Sequence, residues 1–539
     1  MTTVQRRSAA DSLNDARAAL GGAPDFPRAE AAFRAALTSD PEFTDAALEL
    51  AELLQHTGRG EDAVATLAPF VQRDGPEHRV LIGYAEALRN AGRQDEAALV
   101  YRRALADFPT PLAEHNLAAV LGDLAQFEEA EALSAKALAA GLMAPQTLMI
   151  RARALQGLGR LEESEATFRQ VLSRKPTDPD AWRELIQLIW MRTADLTQAL
   201  APLDQVMRSR GPDPRLLEIR AVALKYCGEE MNALQTIDYA AGRFPADSAI
   251  RVFAAHMSIR ANRFVAALAH AEAAVAAQPS LWTRLSLAEA LLAAGDASRA
   301  GTVLEALRNE VPNDQMVIAY QALAWRLQGD ERYAALFDYS SFVSAQELNP
   351  PRGWRTLASF LSDLRSRLED DHRKFSSHPF LQSLLHGSQV NNLLGSRDPV
   401  MTGLFEALAE PIHAHVSRLG TGPDPLRSRN TGKTRFEGAW SVRLQGGRGH
   451  HIGHVHQKGW LSSACYIALP GAVTASEDRA GWLKFGEPGI KTTPQLAPEH
   501  FIKPEEGKLV LFPSYMWHGT EPFGGSETRL SVAFDLLPA

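Results

Sequence analysis

Apolar residues along the first two-thirds of the chain recur three and four positions apart, as in the stretches LIGYAEALRNAG (81–92) and EAALVYRRALADFP (96–109). That spacing predicts amphipathic helices of about four turns, each burying one stripe. From Arg435 onward the period changes. Short apolar runs such as LSSACYIALP (461–470) and KLVLFP (508–513) stand between Gly- and Pro-rich turns, and RLSVAF (529–534) alternates strictly. These predict short strands with one or both faces covered. Between the two regimes, residues 350–432 hold a turn-rich break, NPPRGW, then RTLASFLSDLRSRLEDD and a second helical pattern over 401–419. They are expected to form a helical support for the strand domain.

The helical region carries an internal period. A glycine followed five residues later by a small residue occurs at Gly58/Ala63, Gly92/Ala97, Gly159/Ser164, Gly228/Ala233, Gly295/Ala300 and Gly329/Ala334. Ala125/Ala130, Ala194/Ala199 and Asn262/Ala267 fill the gaps, so the frame advances by 33–35 residues throughout. Prolines at 41, 76, 109, 176, 245, 279 and 312 fall where the second helix of each unit should stop. Period, helix–turn–helix pattern and punctuation resemble tetratricopeptide repeats over roughly residues 10–340. One helix pair cannot bury its stripe alone, so the resemblance implies a stacked α-solenoid with a concave surface that binds a protein or peptide.

Composition narrows the functional classes. A formal charge of -8, from 56 Lys and Arg against 64 Asp and Glu, gives no basic field for nucleic acid. Two cysteines, Cys227 and Cys465, are too few for a disulfide framework and fit a reducing compartment. With no run of eighteen apolar residues and no secretory signal pattern at the start, the expectation is a cytoplasmic protein with no membrane span.

Candidate chemistry concentrates between Gly449 and Phe534. His454 and His456 lie two apart in an extended context, so both imidazoles can enter one cavity. His518 follows an apolar run that begins at Gly507, and is expected to close the site from the opposite side of a barrel. His413 and His415 form a second H-x-H, but on a helix residues two apart diverge. Arg529 and Ser531 share one face of their strand. A guanidinium pointing into a small barrel is costly unless an anion meets it, and with the neighbouring hydroxyl it makes a carboxylate receptor. His450 and His451 are placed at the pocket rim, and Trp460, Trp482 and Lys484 at a substrate entrance.

The motifs HVH (454–456), LSSACYI (461–467), FPSYMWH (512–518) and RLS (529–531) resemble the Fe(II)/2-oxoglutarate-dependent oxygenases. The resemblance implies a multidomain α + β chain: a superhelix over 1–345, the support over 350–432, and a double-stranded β-helix (jelly-roll) barrel over 433–539. It further implies metal ligation by His454, His456 and His518. Arg529, helped by Ser531, would hold the distal carboxylate of 2-oxoglutarate, with Tyr466 facing the same pocket. Fe(II), 2-oxoglutarate and O2 would serve to hydroxylate a protein or peptide brought by the repeats. His456 stands where such sites usually carry a carboxylate. Two other readings stay open. GKLVLFPSYMWH also fits a three-histidine cupin acting on a small molecule, apart from Tyr515 in place of a glycine, and a degenerate barrel would leave a non-catalytic repeat adaptor.

Overall fold

The computed structural model describes residues 3–22, 24–73, 75–375, 377–380, 382–396 and 398–539, with side chains from residue 8 onward. The chain divides into two compact units, Met1–Lys175 and Pro176–Ala539. The first is a solenoid of helix pairs running from Thr3–Leu20 to Leu161–Arg174. The second continues the helix pairs from Pro179–Thr193 to Gln315–Gln328 and then forms the strand-rich domain.

The repeat frame has a backbone cause. Gly58, Gly92, Gly159, Gly228, Gly295 and Gly329 all have positive φ, between 67° and 86°. So do the three residues that fill the gaps in the series, Ala125 at 57°, Ala194 at 54° and Asn262 at 59°. Each turn therefore needs the left-handed conformation whichever residue occupies it. The residue five later is fully buried at Ala63, Ala97, Ala130, Ser164, Ala199, Ala233, Ala267 and Ala300, where the paired helices cross. Ala334 is different: it is exposed, because its helix (Arg332–Leu336) stops after five residues and the array ends there. Asp178, Asp195, Asp213, Asp247, Asp296 and Asp314 cap the helices that follow them. An alanine held left-handed costs roughly 1–2 kcal/mol, part of which glycine gives back as unfolded-state entropy. Ala125→Gly is accordingly expected to raise stability by up to about 1 kcal/mol, and Gly92→Ala to lower it, in urea unfolding of the two variants.

Among the described residues, eleven strands build the C-terminal domain: β1 (Ser344–Glu347), β2 (Leu384–Leu385), β3 (Gly387–Val390), β4 (Thr434–Gln445), β5 (His450–His451), β6 (Leu461–Ala468), β7 (Leu483–Phe485), β8 (His500–Ile502), β9 (Lys508–Pro513), β10 (His518–Thr520) and β11 (Thr528–Pro538). The major sheet is antiparallel, ordered β1-β9-β6-β11-β4-β3, and the smaller sheets are β10-β7-β8 and β2-β5. The arrangement is a jelly-roll barrel. Leu530, Val532, Phe534 and Leu536 of β11 are buried in the large apolar core shared with helices Leu357–His372 and Pro399–Leu419. Arg529, Ser531 and Asp535 alternate with them and so face the other way.

The support region is helical only in part, because β2 and β3 lie within it and β3 extends the major sheet beside β4. β1, which begins at Ser344, already belongs to that sheet, so the strand domain reaches back across the expected 345/350 boundary. Two buried histidines tie helices to strands. His372 Nδ1 and Nε2 hydrogen-bond the Ser388 and Ser441 hydroxyls at 2.8 and 2.9 Å, and His415 Nδ1 hydrogen-bonds the Ser344 hydroxyl at 2.8 Å. Burial pushes both imidazoles from the ordinary 6.5 down to about 3. The unfolded chain therefore takes up protons first. Stability is complete above pH 6.5 and falls as pH drops toward 3, by up to about 1.4 kcal/mol per pH unit for each histidine. Thermal melts between pH 7 and 4 should show this fall, and His372→Asn should make it shallower.

Cys227 and Cys465 are free thiols, and burial pushes both up to about 12, which suits inert packing. Among the described residues, no helix is long and apolar enough to cross a membrane.

Candidate metal and oxo-acid site

Three imidazoles converge on one point. One ring nitrogen from each of His454, His456 and His518 lies within 4.8 Å of the others, and the ring centroids are 4.1, 5.1 and 5.1 Å apart. The backbone explains the convergence. His454 and His518 are direct antiparallel partners, exchanging N–H···O bonds of 2.9 and 3.1 Å, while the His456 N–H donates to Ser514 O at 2.9 Å. His518 therefore stands beside His454 on the adjacent strand rather than across a barrel, because β10 folds back directly onto the 454–456 segment. That segment is extended and bonded on both flanks without forming a regular strand.

Each histidine has its Nδ1 committed. His454 Nδ1 meets Ile452 O at 2.9 Å, His518 Nδ1 meets Met516 O at 2.9 Å, and His456 Nδ1 meets Asp535 Oδ1 at 2.6 Å. Acceptors at those distances fix the proton on Nδ1 and leave Nε2 as the free lone pair, the state a metal requires. Burial pushes His454 down to about 3 and His518 well below its ordinary value, so both are neutral at physiological pH. Phe512 lies 4.5 Å from the His518 ring and Trp440 5.6 Å from the His456 ring, giving the cluster apolar walls. The donor set fits a divalent transition metal with open coordination positions.

Arg529 and Ser531 lie on the same side of β11 as Asp535. Arg529 is 3% exposed, its guanidinium sits 5.0 Å from the Tyr466 ring, and its Nε and Nη1 have no hydrogen-bond partner. The Tyr466 hydroxyl is likewise without a well-formed bond and interacts with the guanidinium beside it. Burial pushes the arginine down from its ordinary range and the phenol up. Ser531 pairs with Tyr466 across the β6–β11 register, so the three sequence candidates come together. Buried donors left this way are expensive, and a carboxylate satisfies them. His451 stands between the two halves: its ring stacks 5.6 Å from His454, its Nδ1 meets Ser383 Oγ at 2.8 Å, and burial, then the charges of His454, Arg529 and His456, hold it well below 6.5. His450 Nδ1 meets Arg448 O and joins neither half.

Other candidates move elsewhere. Trp460 is 1% exposed and donates to Leu426 O, so it is core and no entrance. Lys484 is held by Glu487 and Glu521, while Trp482 Nε1 is buried without a partner. Asp535 was invisible to motif reasoning. Its one sequence signal is an acid within the apolar β11 run, six residues after Arg529 and on the same face.

Two segments beside the site rest on the repeats of the same compact unit. At Ser377–Phe380, Ser377 N donates to Met191 O, Phe380 N to Gln187 Oε1, and Trp190 Nε1 to His378 O. This segment leads into β2, which pairs with β5 immediately before the histidine cluster. The other loop follows β7. Arg326 donates to Gly486 O and Ala497 O at its two ends, Lys491 Nζ to Arg260 O and Asn262 Oδ1, and Thr493 to Ala293 O. Asn262, one of the non-glycine turn residues, thus has a docking role. Within this loop Gly489 packs against Gly453, next to His454, so closely that a Cβ on either would strike backbone.

Residues 438–535 match the family model described as "Putative 2OG-Fe(II) oxygenase". Three tetratricopeptide repeat models match residues 20–77, 57–110 and 145–188. No curated protein matches the chain. Solved structures that it resembles include a tetratricopeptide repeat protein from Parabacteroides merdae, at 17% identity over 46% of this chain and 98% of that one, with a TM-score of 0.37. Yeast Tom70 aligns at 13% identity over 68% of this chain and 90% of that one, with a TM-score of 0.39. Likeness at this level bears on neither activity nor partner. The chain carries tetratricopeptide repeats followed by a domain of the 2OG-Fe(II) oxygenase type.

Proposed function

We propose that the protein is an Fe(II)/2-oxoglutarate-dependent oxygenase that oxidises a protein or peptide substrate engaged by its repeats. One observation carries the reading: three imidazoles whose Nδ1 atoms are engaged by acceptors converge on one point, and β11, which backs them through Asp535, also carries a buried guanidinium with two unpartnered nitrogens. A bare metal site has no use for Arg529, which is why the oxo-acid reading is preferred to the three-histidine cupin.

His454, His456 and His518 would hold the metal through Nε2, and Arg529 with Ser531 would take the distal carboxylate of 2-oxoglutarate. When bound, Fe(II) and 2-oxoglutarate supply dioxygen-driven oxidation coupled to loss of CO2 from the oxo-acid. The chain's own residues do the rest. Ile452, Met516 and Asp535 fix the tautomers, Phe512 and Trp440 line the cluster with apolar surface, and the Tyr466 ring braces the guanidinium. Support for a macromolecular substrate is that both loops beside the site are seated on helices and turns of the repeats.

Anaerobic addition of Fe(II) and then 2-oxoglutarate to the apoprotein is expected to produce a metal-to-ligand charge-transfer band. Metal binding without that band would favour the cupin reading, and no metal binding would favour the adaptor.

A further inference from the structure

The three imidazoles are not equivalent. His454 and His518 each give their Nδ1 proton to a neutral backbone carbonyl two residues earlier, at 2.9 Å, whereas His456 gives its own to a carboxylate, at 2.6 Å. Asp535 is 7% exposed, and its Oδ1 also accepts from the Ser462 hydroxyl at 2.7 Å. Ser462 is in turn hydrogen-bonded to Ser514 Oγ at 2.8 Å, and Ser514 supplies the carbonyl that receives the His456 N–H. Gly459 lies against Ser514 and Asp535 at a spot where a Cβ would collide. Four chain segments thus fix one carboxylate oxygen on one imidazole. Among the described residues, His456 is the ionisable partner with which Asp535 forms an ion-pair contact. A buried carboxylate without a lysine or arginine is costly unless positive charge arrives by another route.

We propose that Asp535 is the positioning residue that supplies, one shell out through His456, the negative charge that oxygenase iron sites usually receive from a directly bound carboxylate. The assignment rests on the metal reading above. Its physics is that of a carboxylate–histidine–metal relay: a hydrogen bond from Nδ1–H to a carboxylate raises the basicity of Nε2 and locks the ring plane. Histidine then replaces the usual acid without leaving the centre one full charge more positive. The arrangement also explains why the two carbonyl-bonded histidines and the carboxylate-bonded one are not interchangeable.

The test uses the full-length apoprotein and Co(II) alone as the probe, so that neither oxygen nor 2-oxoglutarate enters. Asp535→Asn keeps the shape but not the charge, and is expected to weaken Co(II) binding by about 10–100-fold with the melting temperature of the apoprotein kept. Ser462→Ala, which removes one bond to the same oxygen, should give a smaller loss and serves if the first variant misfolds. The double variant His456→Asp with Asp535→Asn moves the acid inward, and should bind Co(II) more tightly than Asp535→Asn alone, a rescue that a merely structural aspartate would not allow. With Fe(II) and 2-oxoglutarate, Asp535→Asn should also move the charge-transfer band to shorter wavelength, because a less donating imidazole lowers the metal orbitals. Co(II) affinity within twofold of wild type in Asp535→Asn, or no rescue in the double variant, would overturn the assignment while leaving the metal site standing. Failure of the wild type to bind Co(II) would overturn both.

Discussion

Arg529→Met is expected to abolish the stabilisation that 2-oxoglutarate gives the Fe(II)-loaded protein, and at the same time to raise the melting temperature of the apoprotein. The two effects have one cause. Arg529 is buried at 3% exposure with two of its nitrogens unpartnered, which costs the fold stability in the absence of an anion. A methionine fills similar volume without the desolvation cost, and replacing a buried charge by an apolar group commonly stabilises by about 1–4 kcal/mol. Losing the guanidinium from the bound carboxylate removes an interaction of about 3–5 kcal/mol, equivalent to a loss of affinity of roughly two to four powers of ten. Thermal melts with and without 2-oxoglutarate, under nitrogen and with Fe(II) present, read both effects. An apoprotein no more stable than wild type, together with an undiminished ligand-induced shift, would remove Arg529 from the site. Metal affinity should change little, since Arg529 touches none of the three imidazole Nδ1 contacts.

Trp517→Ala is expected to cost about 3–5 kcal/mol, the range for emptying a large aromatic site in a core. Trp517 is 3% exposed, stacks on Tyr320 at 5.9 Å and donates from Nε1 to the Ala319 carbonyl, so it joins the strand domain to the last full repeat helix. It also precedes His518. Removing it should therefore loosen a metal ligand as well as the fold, and the loss of Co(II) affinity should exceed that of a cavity made elsewhere in the barrel, such as Phe534→Ala. Trp517→Phe keeps the stacking and should recover most of the stability. Denaturant unfolding and Co(II) titration of the three variants separate these outcomes. Equal metal affinity in Trp517→Ala and wild type would show that the repeat contact does not support the site.

Much of this protein is legible without coordinates because its strongest constraints are local. Ala125, Ala194 and Asn262 stand in the glycine register because the turn between paired helices needs positive φ, a demand written within a few residues and repeated down the chain. The prolines mark the other turn, between one unit and the next, and the buried small residues mark where the paired helices cross. His454 with His456, and Arg529 with Ser531, are readable from spacing because extended backbone puts residues two apart on one side. The ninth unit misleads for the complementary reason: Gly329 makes its turn, but the helix after it ends within five residues, and Ala334 has no partner helix to bury it.

The sequence by itself therefore determined the period of the repeats, the strand character of the chain after Arg435, and which residues to look for together at the candidate site. Tertiary structure alone decided that His518 lies beside His454, that Ser377–Phe380 rests on a repeat helix and the loop after β7 on repeat turns, and that Asp535 backs His456 from 79 residues away. Those pairings depend on strand order and register across long separations. A local period fixes which way a side chain points, and only the closed sheet fixes what it meets.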